Sequence, residues 1–366
     1  MELELETGQV LGASQLVSAR VKRSIDPIYG YLQRDTMTVQ LRADVSMRQA
    51  AAGQAQAVLR HKGRTVATQQ VLSCRRSGLG QSVSCATNLD FLRLEHKGGI
   101  YQAQTGQAIL KELLGHRQLD MADSIGGNVT GHIPIGTRGQ AIRLLTFAMG
   151  AYMRVNHLGE FSLLALDGQP VEIPQSRILS PVQVTHLPEY SRVELATHSY
   201  TPGQHPVVLM DGRELSDQVH TVRFPEPVHW IYLSQGIVLE QGANYITFRP
   251  TDVETLTVKP YLHTTSWLSR DLFTPADMEH TRVLSVRDNT LISPDSGPAL
   301  LESLVRRAQL RQKLELTILV SGEQVGDPVT VQTPWGSRYS GYITQMDSTY
   351  TPKSEIARIT VMGKEI

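Results

Sequence analysis

The residues best suited to chemistry in this chain are a thiol beside two cations, two pairs of carboxylates and a scatter of histidines. Cys74 precedes Arg75 and Arg76, and nearby cations favour the reactive thiolate. A strand-end cysteine before the Ser77-Gly78 turn explains the same residues without reactivity. Asp211 with Glu214, and Glu323 with Asp327, are of the types needed for glycoside cleavage, which demands two carboxyl groups about 5 to 9 Å apart. Both pairs stand beside glycines (Gly212, Gly322 and Gly326) in polar stretches that turn chemistry explains. Of the twelve histidines, His198 and His205 bracket a turn, but two ligands do not complete a zinc site. There is no His-Glu-x-x-His helix, no Gly-x-Ser-x-Gly elbow and no phosphate-loop motif. Gly98-Gly99 and Gly126-Gly127 are too short to cradle a phosphate. Asn128-Val129-Thr130 matches a glycosylation acceptor, which means nothing without a secretory signal. The expectation is therefore of no catalytic, cofactor-binding or metal-binding residue, and of a protein that is not an enzyme.

The 366 residues suggest two to four domains of roughly 100 residues each. With 35 basic and 35 acidic residues and no block of either sign, the chain does not read as a dedicated nucleic-acid binder. Two cysteines, Cys74 and Cys85, are too few for a disulfide-stapled fold, and both are expected to be reduced. The N-terminus Met1-Glu2-Leu3-Glu4-Leu5-Glu6 alternates acidic and apolar residues like a strand, not like a signal peptide. The most apolar stretch, Ala141 to Met153, falls short of the roughly 20 residues of a membrane span. A soluble protein made in a cytosol is expected.

The elements that must carry these residues are mostly strands. Leu16 to Ile25 and Thr36 to Leu41 alternate with period two around an Asp26-Pro27-Ile28-Tyr29-Gly30 loop. Gln56 to His61 and Arg64 to Ser73 flank a Lys62-Gly63 hairpin turn. This predicts an all-β unit of five or six strands over 1–95. An α+β module over 96–175 follows. It holds a helix over Gln104 to Leu114 ended by Gly115, and a second over Thr137 to Tyr152. The second opens with capping-box spacing at Thr137 and Gln140 and buries Ile142, Leu145, Met149 and Tyr152. A hairpin, Arg154 to Asn156 with Glu160 to Ala165, completes the module. From Ile178 strands return over Pro181 to Leu187, Arg192 to Tyr200, Gln218 to Phe224, Ile237 to Glu240, Tyr245 to Arg249 and Glu254 to Val258. A helix over Gly297 to Gln312 turns Leu301, Leu304, Val305 and Ala308 inward and Glu302, Arg306, Arg307 and Arg311 to solvent. Closing strands run over Leu314 to Val320, Pro328 to Thr333, Arg338 to Met346 and Ala357 to Gly363, the last with Ile359 and Val361 inward and Arg358 and Thr360 outward.

Read in order, several segments resemble the hub proteins of phage tails and related contractile injection machines. They are Val17-Ser18-Ala19-Arg20-Val21 with Ile25-Asp26-Pro27 and Asp35-Thr36-Met37-Thr38-Val39, then Val83 to Leu92 with Tyr101 and the Ile109 helix. Ile133-Pro134-Ile135-Gly136-Thr137-Arg138-Gly139-Gln140-Ala141 running on to Gly159-Glu160-Phe161-Ser162-Leu163 is the most specific stretch. Later come Lys259-Pro260-Tyr261, Asp288-Asn289-Thr290-Leu291-Ile292, the Leu301 helix, Gly326-Asp327 and the strand ending at Met362-Gly363.

The resemblance spans essentially the whole chain. It implies a mainly β fold with an α+β module and two β-barrel-like tube domains per subunit, forming a homotrimeric, pseudo-sixfold ring. The second tube domain would occupy 176–366, with a β-rich insertion at about 205–290. The implied role is a structural baseplate hub joining tail tube to tip around a channel, located in the virion tail or a tail-like particle and assembled in the host cytoplasm. Implied partners are further copies of itself, a tail tube or distal tail protein, a tip or spike protein and a tape-measure protein. DNA would only pass through, and no membrane is bound. Many such hubs continue into a peptidoglycan-cleaving domain. This sequence ends at Ile366, so that activity is expected elsewhere. Two other functions compete: a tail-tip enzyme acting on cell walls, and a carbohydrate-binding module that would need an exposed aromatic platform. Trp230, Trp267 and Trp335, the three tryptophans, are expected rather as core or interface anchors.

Overall fold

The computed structural model describes residues 1–26, 28–42, 45, 55–78, 80–121, 125–165, 168–251, 253–273 and 282–366. Over half of the chain is strand, so the fold is mainly β. Pro27, part of the expected Asp26–Gly30 loop, lies outside the described residues. Beside it, Asp26 Oδ1 accepts from the backbone N–H of Ile28 at 2.9 Å and of Tyr29 at 3.0 Å, the local bonding that favours a turn at aspartate.

Among the described residues, a sheet of 13 strands organises the molecule. Among the described residues its first part holds the seven strands up to Ala86, more than the five or six expected. Strands Gln56–His61 and Arg64–Ser77 form the expected hairpin. Lys62 and Gly63 take φ of 50° and 78°, the left-handed pair that matches the twist of the flanking strands. The second part contains Val171–Ile173, Gln183–His186, Gln312–Leu319, Pro328–Gln332, Arg338–Tyr350 and Glu355–Glu365.

The two parts meet along one seam, where Gln345–Tyr350 pairs antiparallel with Ala19–Ser24. The same strand, Arg338–Tyr350, pairs through Arg338–Tyr342 with Pro328–Gln332. Side chains interlock across the seam: Tyr350 packs in the N-terminal core with Val21, Val39 and Leu59, while Ile25 packs in the C-terminal core with Leu316, Ile343 and Ile359. Arg20 Nε donates to Asp347 Oδ1 at 2.6 Å, and Arg64 Nη2 donates to the buried Glu355 at 2.5 Å.

Among the described residues, three α-helices stand outside the large sheet. Helix α1 (Gly106–Leu114) buries Ile109, Leu110, Leu113 and Leu114, and Gly115 closes it. Helix α2 (Arg138–Ala148) opens with a complete capping box: Gln140 N donates to Thr137 Oγ1 at 3.2 Å, and Thr137 N donates to Gln140 Oε1 at 2.9 Å. It stops sooner than the pattern over Thr137 to Tyr152 suggested, because Gly150 takes φ of 69° and the chain turns into strand Ala151–Val155. Tyr152 is buried as expected, but from that strand, donating to the Gly326 carbonyl at 2.7 Å. Helix α3 (Gly297–Ala308) packs Leu300, Leu301, Leu304 and Val305 beside Val193 and Leu195. It ends at Ala308, short of the expected Gln312, which already opens strand Gln312–Leu319, and Arg307, expected at the solvated face, is buried, only 7% exposed.

The region from Arg192 to Val286 forms two small sheets of its own outside the 13 strands, the projecting region of the fold. The expected strand Glu254 to Val258 extends to Val253–Asp271, running through Pro260. The proline is accommodated because it stands at a change of partners: Val207–Glu214 pairs with residues up to Val258, and Arg192–Pro202 takes over from Tyr261.

The last strand, Glu355–Glu365, is central, pairing on one side with Gln312–Leu319 and on the other with Arg338–Tyr350. Ala357, Ile359 and Val361 are fully buried and Arg358 is exposed. Thr360, expected outward, is buried beside the register shift of the neighbouring strand at Thr344, whose Oγ1 donates to the Thr360 carbonyl at 3.2 Å. Each buried aliphatic side chain here contributes about 1.5 to 3 kcal/mol against a domain stability of about 5 to 15 kcal/mol. A chain ending at Tyr350 is therefore expected to aggregate and Ile359→Ala to lose about 2 to 5 kcal/mol in urea unfolding, whereas Arg358→Ala stays within about 1 kcal/mol of the parent. A truncated chain that kept the parent's thermal midpoint would show that this strand does not hold the sheet together.

Candidate assembly surface

In a strand with one buried face, alternate residues are covered, so consecutive exposed apolar residues mean that neither face has found a partner. The projecting region has two such runs. Val207, Val208 and Leu209 are all exposed on Val207–Glu214, and Ile237, Val238 and Leu239 are all exposed on Ile237–Gly242. On strand Val228–Leu233, Trp230 and Tyr232 point the same way, their rings 6.0 Å apart and inclined by 7°, with Lys259 Nζ over Trp230. Among the described residues, a small core of Phe224, Val228, Ile246, Phe248, Leu256 and Val258 forms in this region, with Met210, Ile231 and Leu233 packed against it.

Open strand edges add to this surface. Among the described residues, the large sheet ends at Val10–Leu11 and at Gln183–His186, and Ile237–Gly242 is an outer strand of its own three-stranded sheet. Among the described residues, nothing pairs with the outer side of Leu262–Asp271, where Leu262 and Trp267 are 58% and 51% exposed. Such edges are templates for pairing with another chain.

The projecting region is tied to the α+β module through an aromatic and imidazole cluster. Tyr200 stacks on His263 with 4.8 Å between centroids, and His132 meets Tyr200 edge-on at 5.7 Å. His132 Nε2 lies 2.9 Å from Asn244 Oδ1, and Gly98 is required opposite, because a Cβ there would stand 2.8 Å from the same oxygen. His198 Nε2 lies 3.2 Å from the Arg287 carbonyl and so donates to it. Its Nδ1 then accepts from His263 Nε2 at 3.0 Å. Burial lowers the pKa of both His132 and His198. For His132 the Asn244 bond and Glu226 oppose the shift and His263 and His96 add to it; for His198 the Arg287 carbonyl and Asp288 oppose it and His263 adds to it.

The residues singled out for chemistry do not converge. His198 sits inside strand Arg192–Pro202 beside His263, not at a turn with His205, which is exposed in the loop beyond. Among the described residues, no three metal-binding side chains come together. Asp211 and Glu214 are exposed on a strand, not in the turn expected, because the Val253 end of its partner continues the ladder to Glu214. Glu323 is bound to Arg177 at 2.6 Å, and Asp327 to Arg154 at 3.3 Å and to the Gln324 N–H at 2.8 Å. Cys74 and Cys85 lie on adjacent paired strands without a disulfide. Burial raises both thiols, Cys85 to about 12, opposite to an activated thiolate. None of the tryptophans is in the core: Trp230, Trp267 and Trp335 are all exposed. Strands Val207–Glu214 and Val228–Leu233 escaped sequence reading, although each carries a run of β-branched or aromatic residues that signals a strand.

Comparison with solved structures places this arrangement. A 43 kDa tail protein of prophage MuSo2 from Shewanella oneidensis matches 98% of this chain and 97% of its own, with 11% identity and a TM-score of 0.57. This chain has the fold of phage tail proteins. A tail protein from Neisseria meningitidis MC58 matches equally well, with 11% identity, TM-score 0.57 and 98% and 95% of the two chains covered. Prophage tail protein gp18 from Listeria monocytogenes EGD-e follows at 10% identity and TM-score 0.54, covering 98% and 93%. No protein-family model matches the sequence, and no curated protein matches it.

The imidazole cluster gives a signed pH dependence. At about pH 7.5 and above, a full unit over the ordinary histidine value, both His132 and His198 are essentially neutral in the folded and unfolded states alike. As pH falls below that value the unfolded chain takes up protons that the folded state resists, so stability is lost progressively until the lowered folded-state values are passed. The thermal midpoint is expected to fall between about pH 7.5 and 5.5, and to fall less steeply in His198→Gln. Equal slopes in parent and variant would remove His198 from this account.

Proposed function

We propose that this protein is the structural baseplate hub of a phage tail or tail-like particle, joining the tail tube to the tip around a central channel. The observation that carries the reading is the fold, shared with three tail proteins over 98% of the chain. In this reading three subunits form a ring. Each contributes two tube-like β units, one over 1–95 and one over 176–366 with its insertion at about 205–290, and the module over 96–175 lies between them. Six similar units would then surround the channel, matching a sixfold tube to a threefold tip.

The open edges and exposed apolar strands support assembly, since closed heterologous contacts cover both. Partners in this reading are further copies of the chain, a tail tube or distal tail protein, a tip or spike protein and a tape-measure protein, with DNA only in passage. The role is structural: the carboxylate pairs are either exposed on a strand or held in ion pairs. A second reading, carbohydrate binding at a host surface, is favoured by one observation, the exposed and nearly parallel rings of Trp230 and Tyr232.

Light scattering coupled to size exclusion is expected to give three times the 40.5 kDa subunit mass at high concentration, with rings on electron-microscope grids. A monomer at every concentration, with no ring even beside its tail neighbours, would overturn the hub. Purified peptidoglycan is expected to release no soluble fragments. Release abolished by Glu323→Ala with Asp327→Ala, or by Asp211→Ala with Glu214→Ala, would instead establish an enzyme.

A further inference from the structure

The helical pattern of α3 assigns Arg307 to the solvated face, yet the side chain is 7% exposed. A guanidinium stays charged in a protein, so its burial calls for compensation. One nitrogen, Nη2, donates to the Gly150 carbonyl at 3.0 Å, while the buried Nε has no hydrogen-bond partner among the described residues. Burial is the largest influence on its ionisation; Tyr342, Tyr152 and Asp26 favour the charge and Arg306 opposes it. Among the described residues, none of these groups makes an ion pair with it.

Arg307 borders a recess of about 640 Å³ between α3 and the strands of the C-terminal half. Arg306 and Lys364 line the same recess from its exposed rim. Among the described residues, no aspartate or glutamate lines it. Three cations are thus gathered in one concavity of a chain whose formal charge is zero. Met149, Leu300 and Pro328 make part of the wall apolar.

We propose that this recess is a docking site for an acidic peptide segment of a partner protein. One carboxylate meets Arg307 at the floor, neighbouring acidic groups meet Arg306 and Lys364, and an apolar residue between them rests on Met149, Leu300 and Pro328. A carboxylate on a side-chain arm reaches a buried guanidinium and forms a short, charge-assisted bond. A nucleic-acid strand fits less well, since it calls for a long basic track with stacking rings, and Tyr342 is the only aromatic lining residue among those described. The site does not depend on the hub reading.

Calorimetric titration of the full chain with acetyl-Leu-Glu-Glu-Leu-Glu-amide tests this, alongside the glutamine counterpart, inorganic phosphate and a thymidine oligonucleotide. The acidic peptide is expected to bind saturably, several-fold more weakly when salt rises from about 50 to 300 mM, and the glutamine peptide not to bind. Arg306→Gln with Lys364→Gln, both at the exposed rim, is expected to weaken binding about tenfold with an unchanged circular dichroism spectrum. Arg307→Met is expected to abolish it without lowering the thermal midpoint. The proposal is overturned by absence of peptide binding, by phosphate or oligonucleotide binding as tightly as the peptide, or by a rim variant that binds like the parent.

Discussion

The pairing of Gln345–Tyr350 with Ala19–Ser24 joins segments whose linking ion pair, Arg20 with Asp347, spans 327 residues of sequence. Everything between them must be arranged so that these two stretches meet in register. Because side chains alternate with a period of two, a slip by one residue would turn Val21 and Tyr350 away from the N-terminal core. The seam therefore fixes the faces of both halves at once, and Ile25 and Tyr350, each packed in the other half's core, hold them to it.

The seam also explains how a helical module and a projecting β region are carried without disturbing the sheet. Both are excursions of the chain that leave the 13 strands and return to them. The projecting region is held against the module by contacts of the buried His132 with Asn244 and with Tyr200, and by surface ion pairs, Lys97 with Glu240 at 2.7 Å and Arg223 with Glu95 at 2.6 Å. Exposed pairs of that kind contribute little each, so the buried cluster dominates the attachment.

Local order was legible where the sequence writes it locally. The Lys62-Gly63 hairpin, the Thr137–Gln140 capping box, the Gly115 helix end and the alternation around Ile359 all depend on neighbours within a few residues. What escaped depends on distant partners. Strand Val253–Asp271 continues past Pro260 because two other strands exchange places beside it. Arg307 is buried because the module's Gly150 carbonyl and the C-terminal half close over the last turn of α3, which no helical wheel can show. The imidazole cluster assembles His132, His198 and His263 from three separate strands, so spacing between histidines carried no trace of it, and His205, nearer in sequence, is not part of it.

One consequence of the seam concerns the order in which the protein can be made. A ribosome delivers Leu16–Ser24 and its six companion strands long before Arg338–Tyr350 emerges. During that interval the side of Ala19–Ser24 that the seam will cover stands open, a free edge on a nascent half-sheet, and open edges invite pairing between neighbouring nascent chains. The growing polypeptide must outlast this interval. Arg20 and Lys22, charged residues on that waiting edge, are the kind of side chain that discourages premature sheet growth, and Arg20 only later finds Asp347.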